Sequence, residues 1–329
     1  MPEKPKIAFY WCGSCGGCEE SVVDLAMDLV GVLQAVDIVF FPVAMDFKRE
    51  DVEAMPDGSI AAALINGCIR TSEQEEMAEL LRRKAQVLIA YGSCASTGGI
   101  PGLANQFTRE QILKFVYETS PSTHNEAGVR PQPRLRNNGY ELTLPEFRQR
   151  VRALDQVVDV DYYLPGCPPT PDLLKAAVTA LLEGRLPDKG TVLAPDVALC
   201  EGCPRQETKP TEMRYTEFRR PHLTDMDPDT CFLAQGIVCM GPATRSGCGA
   251  QCIKGNMPCT GCFGPTSRVR DQGAKMLSHL AASVAAQTPE EAAAILSGIP
   301  DPVGTLYRYT LAHSMLRGAK PTVEEGRQV

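Results

Sequence analysis

Several features are scarce in this 329-residue sequence, and each scarcity excludes a class of protein. No apolar run approaches the roughly 18 residues of a membrane-spanning helix, so we expect no direct insertion into a bilayer. The 33 Lys and Arg do not exceed the 40 Asp and Glu, which disfavours a surface for nucleic-acid phosphates. Nothing near Met1 has the apolar core and cleavage site of a secretory signal. We therefore expect the chain in the cytoplasm, where a reducing environment keeps thiols free.

Cysteine, by contrast, is abundant, with 14 in the chain. Twelve of them fall into three sets of four. The first set is Cys15, Cys18, Cys94 and Cys167, and the other eight are Cys200, Cys203, Cys231, Cys239, Cys248, Cys252, Cys259 and Cys262. Soft thiolates in groups of four are ligands of iron–sulfur clusters or of zinc. Because a chain with three clusters is most simply an electron conduit, we expect electron transfer.

The first half of the chain alternates strand and helix patterns. Short apolar runs predict strands over residues 6–11, 37–43, 60–66, 86–91 and 157–164. Apolar residues at helical spacing from Val22 to Leu33 predict one helix, and Ser72 with Glu75 in a capping box predicts the start of another. A further helix is predicted over residues 171–182. The alternation predicts an α/β fold with a flavodoxin-like, doubly wound parallel sheet.

A turn-like break between Gly184 and Gly190 marks a predicted domain boundary. Residues 1–186 form the predicted flavodoxin-like domain, and residues 187–329 form a smaller iron–sulfur domain with little regular structure. C-terminal helices are predicted over residues 267–286, over 290–296 with Thr288 as N-cap, and over 308–317. Residues 105–152 carry little strand signal, so we expect a surface excursion with short helices.

The first four cysteines share a position in this pattern, because each follows the carboxyl end of a predicted strand. In open α/β sheets, ligands bind in the crevice outside those ends, so residues far apart in sequence converge there. Neighbouring glycines allow the backbone to approach a bulky cofactor closely. Cys68 also ends a strand and Cys12 lies beside the first pair, so either is an alternative ligand. We interpret both as buried free thiols.

Four motifs together carry a resemblance to a known family. They are Cys15-Gly-Gly-Cys18-Glu-Glu20-Ser, Gly92-Ser-Cys94-Ala-Ser-Thr-Gly98-Gly-Ile, Pro165-Gly-Cys167-Pro-Pro and the C-terminal cysteine series. The chain resembles the small subunit of a NiFe hydrogenase along nearly its whole length. The resemblance implies three ligand sets, and it places Glu20 at the glutamate position of the family. The sets are a proximal set (Cys15, Cys18, Cys94, Cys167), a distal set (Cys200, Cys203, Cys231, Cys239) and a medial set (Cys248, Cys252, Cys259, Cys262).

The resemblance also implies cofactors and partners. Cysteine at all twelve positions implies three 4Fe–4S clusters and resembles the cytoplasmic, methyl-viologen-reducing branch, which works with an iron–sulfur adaptor subunit and heterodisulfide reductase. The nickel–iron centre of the family is held by CxxC pairs at opposite ends of the large subunit, and this chain has no such arrangement. We therefore expect no catalytic residue here. The expected partner is a NiFe hydrogenase large subunit that covers the loop of Cys15 and Cys18.

Other functions fit parts of the sequence. A cluster-bearing subunit of a complex-I-like quinone oxidoreductase shares the proximal motif region, but it usually has adjacent cysteines where this chain has Cys15-x-x-Cys18. It also lacks the eight C-terminal cysteines. A non-enzymatic zinc scaffold fits Cys200-x-x-Cys203 and Cys259-x-x-Cys262, whose spacing suits tetrahedral zinc. The glycine-rich loop before the first helix would also suit a flavin or nucleotide phosphate, but its cysteines favour a metal.

Overall fold

The computed structural model of the chain describes residues 3–316, and a parallel sheet lies at the centre of the first half. The strands are β1 (Lys6–Trp11), β2 (Asp37–Phe40), β3 (Ile60–Asn66), β4 (Ile69–Thr71), β5 (Ala85–Tyr91), β6 (Arg134–Asn137), β7 (Tyr140–Thr143), β8 (Phe147–Arg152), β9 (Tyr162–Leu164) and β10 (Thr191–Val192). The helices are α1 (Gly17–Val23), α2 (Met27–Ala35), α3 (Arg49–Glu53), α4 (Ser72–Lys84), α5 (Ser93–Thr97), α6 (Arg109–Lys114), α7 (Pro171–Leu182), α8 (Gln251–Lys254), α9 (Gln272–Ser283), α10 (Pro289–Leu296) and α11 (Pro302–Leu306).

The central sheet has six strands in the order β10-β9-β5-β3-β1-β2, and every neighbouring pair is parallel. Two layers of helix enclose it, as in doubly wound folds. β3 is a continuous apolar run because both of its faces are covered. Ile65 shares a core with Met77 of α4, whereas Leu64 shares the opposite core with Val22 of α1 and Leu174 of α7. The predicted α/β fold is confirmed.

The single helix predicted between Val22 and Leu33 is wrong. The chain instead forms α1, which ends at Val23, and α2, which begins at Met27. Between them, Ala26 has a φ of 50°, a conformation in which a right-handed helix cannot continue. α2 fully buries none of its residues, but Leu29 and Val32 are partly buried against the core that contains Val22 and Leu64, so part of its apolar spacing does reflect packing.

The start of α4 differs from the prediction by one residue. Thr71 rather than Ser72 is the N-cap, because its backbone is extended and its side chain accepts a hydrogen bond from the Gln74 N–H. Ser72 is already the first residue of the helix. Glu75, predicted to complete the capping box, instead forms an ion pair of 2.6 Å with Arg148. The inward face of α4 is buried as expected.

Other differences lie at strand ends and in residues 105–152. β2 ends at Phe40 and a turn follows, and β9 begins only at Tyr162, because residues 157–161 form a turn and irregular backbone after the 3-10 helix Leu154–Gln156. Residues 105–152 contain α6, as expected, but also the β6–β7 hairpin and β8, which pairs antiparallel with β4. Every residue of β6 and β7 is exposed, so a core imposes no apolar alternation on them.

The second half of the described chain consists mainly of short 3-10 turns around a core of its own. α9 and α10 lie at the predicted places, and Thr288 caps α10 through the Glu291 N–H. The third predicted helix, 308–317, does not form: α11 precedes it, a 3-10 turn occupies Leu311–His313, and residue 317 lies outside the described residues. β10 joins the parallel sheet beyond the boundary predicted at residue 186, which stays a prediction. Among residues 3–316, no helix is long and apolar enough to cross a membrane.

Candidate metal centres

The proximal set lies at one edge of the parallel sheet. Cys15 and Cys18 follow β1, Cys94 follows β5 and Cys167 follows β9. Because parallel strands end at the same edge, the fold brings these four residues to the crevice expected from the sequence. Their proximity appears in the pKa of the Cys18 thiol, which burial raises strongly and which Cys94, Glu19, Cys167 and Cys15 raise further.

Two glycines let the backbone pass against the thiols of this set. A Cβ atom at Gly92 would lie 2.5 Å from Cys18 Sγ, and a Cβ atom at Gly99 would clash with Cys94 Sγ. Both glycines have positive φ, 85° and 59°, which other residues rarely adopt. Any side chain at either position would therefore displace a thiol.

The remaining two cysteines are buried near this set. Cys12 is 7% exposed, and Cys68 is 2% exposed with its thiol donating to the Gly13 carbonyl at 3.2 Å. Cys94 packs against the small apolar cluster that contains Cys68. The pKa of the Cys94 thiol is raised to about 12, mainly by burial and next by the nearby Cys68 thiol. The expected burial of both thiols is confirmed, but Cys68 lies near enough to stay an alternative ligand.

The medial set lines a cavity of about 240 Å³. Cys248, Cys252, Cys259 and Cys262 all reach its wall, and so does Cys167 of the proximal set. Burial, followed by the nearby Cys167 and Cys248 thiols, raises the pKa of Cys262 to about 12. The cavity therefore gathers four thiols at the border with the proximal set.

The distal set is brought together by 3-10 turns rather than by strands. Burial raises the pKa of the Cys200 thiol to about 12, and the thiols of Cys239, Cys203 and Cys231 add to the rise. The backbone is again close to sulfur here, since a Cβ atom at Gly241 would lie 3.2 Å from Cys200 Sγ and 3.6 Å from Cys239 Sγ. The Cys200 and Cys239 thiols therefore lie on either side of Gly241, and Cys203 and Cys231 are near enough to influence the Cys200 thiol.

Direct contacts connect the three sets. The Cys259 N–H of the medial set donates to Cys239 Sγ of the distal set at 3.3 Å. On the other side, Cys167 shares the medial cavity, and the Ser93 hydroxyl donates to the carbonyl of Cys262. The sets therefore form a row in the order proximal, medial, distal.

Arg205 connects the loops of the distal and medial sets, and it was not among the residues predicted from the sequence. The side chain is 4% exposed and its guanidinium lies 4.0 Å from the centre of the Phe232 ring. It donates to the Asp227 carbonyl at 3.0 Å and to Asn256 Oδ1 at 2.7 Å. An arginine shortly after a cysteine looks like any surface cation in a sequence, so no signal could have identified it.

Two charged residues near the proximal set are buried, and the sequence made no prediction about either. Glu20, at the glutamate position of the family, is exposed. Its neighbour Glu19 is buried and accepts a hydrogen bond from Asn66. Arg70 is a second buried charged residue near this set, at 6% exposure. Neither Glu19 nor Arg70 carries a sequence signal that distinguishes it from a surface charge.

The residues present fit iron–sulfur clusters. Each set offers four thiols, which are the ligands that iron–sulfur clusters take, and all fourteen cysteines are free of disulfides. The glycines beside Cys18 and Cys94 keep space at the thiols that a side chain would otherwise fill. Within residues 3–316, no three Cys, His, Asp or Glu side chains are already arranged to hold a metal ion.

The sequence and fold of this chain are similar to those of known proteins. The family described as NADH ubiquinone oxidoreductase, 20 Kd subunit, matches residues 15–181. The iron–sulfur subunit of the F420-non-reducing hydrogenase of Archaeoglobus profundus is 40% identical over 94% of this chain and 97% of its own length. This chain belongs to the family of F420-non-reducing hydrogenase iron–sulfur subunits. These are small subunits of NiFe hydrogenases, so the predicted resemblance is confirmed.

The corresponding hydrogenase subunit of Methanothermobacter thermautotrophicus is 39% identical over 96% of this chain and 97% of its own length. Both relatives span the eight C-terminal cysteines, whereas the 20 Kd subunit family matches only the first half. The NiFeSe hydrogenase structure from Desulfovibrio vulgaris Hildenborough covers 80% of this chain and 95% of its own, at 17% identity and a TM-score of 0.52. That structure shows a shared fold. The matches at full length favour a hydrogenase subunit over the complex-I-like alternative.

Proposed function

We propose that this small subunit carries electrons from dihydrogen oxidation at the large subunit through three 4Fe–4S clusters to an iron–sulfur or heterodisulfide reductase partner. The proximal, medial and distal sets would each hold one cluster. A bound 4Fe–4S cluster supplies one-electron redox chemistry. The part played by this chain is to hold each cluster with four thiolates and to keep the three sets close together.

The row of contacts between the sets is the observation that carries this proposal. The medial cavity includes Cys167 of the proximal set, and the medial residue Cys259 donates to Cys239 of the distal set at 3.3 Å. Three sets that were isolated from one another would suit structural metal sites. Three sets in contact suit transfer from one to the next.

The surface beside the proximal set supports a large subunit in that position. Cys15 is exposed, and three large apolar side chains lie near it in sequence: Trp11 at 37%, Val23 at 61% and Met27 at 81% exposure. Apolar surface of this kind is typical of a protein interface. We propose that the large subunit, with the nickel–iron centre, covers this loop.

We also propose a cytoplasmic location and a low-potential acceptor. All twelve ligand positions are cysteine and all fourteen thiols are free, as expected in a reducing compartment. Ligation by thiolates alone gives lower potentials than ligation that includes histidine. This ligation favours a low-potential acceptor, and the resemblance to the methyl-viologen-reducing branch implies that the acceptor is an iron–sulfur adaptor subunit that leads to heterodisulfide reductase.

A matched pair of substitutions tests the ligand set in the purified, anaerobic hydrogenase complex. Cys94→Ser is expected to abolish the electron paramagnetic resonance signal of one cluster and hydrogen-dependent reduction of methyl viologen. Cys68→Ser changes the neighbouring buried thiol and is expected to leave both nearly intact. The reverse pattern would make Cys68 the fourth proximal ligand. An unaltered complex with no iron–sulfur signal would contradict the proposed function itself.

A further inference from the structure

Arg70 is a buried cation without a counter-ion in the described part of the chain. It lies on β4, and 6% of its surface is exposed. None of its three guanidinium nitrogens has a hydrogen-bond partner among residues 3–316. Because an unpaired buried charge is costly, a folded protein normally places an opposite charge beside it.

No carboxylate forms an ion pair with Arg70 among residues 3–316. Its guanidinium lies 4.4 Å from the centre of the Phe147 ring. Arg109 is also close, but that cation has Glu146 as an ion-pair partner at 3.7 Å and donates to the Phe147 carbonyl at 3.2 Å. Burial lowers the pKa of Arg70 to about 10, and the nearby Cys68 thiol opposes this. Arg70 therefore stays charged at neutral pH.

The proximal set offers the missing negative charge. Cys68 adjoins Arg70, and Cys94 packs against the same small cluster as Cys68. A 4Fe–4S cluster with four thiolates is an anion overall, and it gains a further negative charge on reduction. A fixed cation nearby stabilises the reduced form more than the oxidised form.

We propose that Arg70 is a positioning residue whose positive charge, held beside Cys68, raises the reduction potential of the proximal cluster. The inference rests on the proposed function, because it requires a cluster on the proximal set. It assigns to Arg70 a role through the electric field and not through ligation or contact with substrate.

The test is a redox titration of the iron–sulfur signals in the purified hydrogenase complex. The proximal signal is identified as the one that Cys94→Ser abolishes. Arg70→Met keeps an apolar stem against Phe147 and removes the charge. In Arg70→Met we expect the equilibrium constant for reduction of the proximal cluster to fall about tenfold, which lowers its reduction potential by about 59 mV for a one-electron couple. The potentials of the other two signals are expected to stay unchanged. Arg70→Lys keeps the charge and is expected to keep most of the potential.

Arg109→Met is the matched control, because it removes a neighbouring cation that Glu146 already balances. Its expected shift is less than half that of Arg70→Met. A proximal potential that is the same in Arg70→Met and in the unaltered complex would overturn the inference. So would equal shifts in Arg70→Lys and Arg70→Met. Arg70→Gln is a second neutral variant, and loss of the proximal iron from both neutral variants would show a role in assembly instead. Absence of a proximal signal in the unaltered complex would instead refute the proposed function.

Discussion

Gly92 follows β5 and lies against the thiol of Cys18, so Gly92→Ala tests whether that thiol must stay in place. The alanine Cβ would stand 2.5 Å from Cys18 Sγ, whereas ordinary contact begins at 3.4 Å. The sulfur would therefore have to move by at least 0.9 Å, the difference between these two distances. Metal–ligand distances tolerate only about 0.2 Å, so a shift of this size is incompatible with an unchanged cluster ligand.

Gly58→Ala is the matched control for backbone strain. Gly58 has a φ of 70°, close to the 85° of Gly92, but a Cβ atom there would meet nothing within 4 Å. Each substitution forces alanine to a positive φ, at a cost of about 1–3 kcal/mol, and Gly92 has in addition a ψ of 168°, a combination that is essentially confined to glycine. Only Gly92→Ala adds the contact with sulfur, for which overpacking costs about 1–3 kcal/mol more. Gly58→Ala therefore controls for a positive φ, and iron content rather than stability is the quantity that reports on the Cys18 thiol.

The assay is iron and acid-labile sulfide in the anaerobically purified complex. We expect Gly92→Ala to lose about four of about twelve iron atoms, together with the proximal signal, and Gly58→Ala to keep them all. A Gly92→Ala protein with its full iron content and an unchanged proximal signal would refute the reasoning. Equal iron loss in both variants would attribute the effect to the backbone alone.

Three further substitutions test other parts of the structure. Cys252→Pro is expected to convert the medial cluster to a three-iron form with a higher reduction potential, because proline fits the first turn of α8 but offers no thiolate. An unchanged electron paramagnetic resonance spectrum would remove Cys252 from the ligands. Asp161→Asn replaces a buried carboxylate that pairs with two cations and accepts from a backbone N–H. In thermal denaturation we expect the free energy of unfolding to fall by about 1.5–3 kcal/mol. Asp28→Asn, at an exposed ion pair, is the control and should change this free energy little. Thr71→Ala removes the cap of α4 and should cost about 1 kcal/mol in the same assay, with Ser72→Ala costing less; the opposite ranking would restore Ser72 as the cap.

The parts of the fold that burial determines could be predicted from the sequence. β1 and β3 have the predicted bounds, because a strand buried on both faces is a continuous apolar run. α7 also has the predicted bounds, with Pro171 in its first turn, and the structure adds Thr170 as its N-cap. The convergence of the four proximal cysteines at one edge of the sheet could be predicted for a related reason, because each follows a strand of the parallel sheet, whereas their role as ligands stays a prediction.

The misses have a common physical cause, which is that local sequence does not encode distant contacts. The apolar spacing that joins α1 to α2 continues through Ala26, and only the observed φ of 50° reveals the break. The β6–β7 hairpin is exposed on every residue, so no core patterns it. Arg70 and Arg205 are buried only because other segments fold over them. The nearness of Cys68 to Cys94 likewise depends on the packing of two separate strand ends.

The most direct test of the three-cluster proposal is metal and sulfide analysis of the anaerobically purified chain, alone and with the subunit that copurifies with it. We expect about twelve iron and about twelve sulfide per chain, with nickel present only when the partner subunit is present. About three zinc ions and no sulfide would contradict the proposal and leave a structural metal protein.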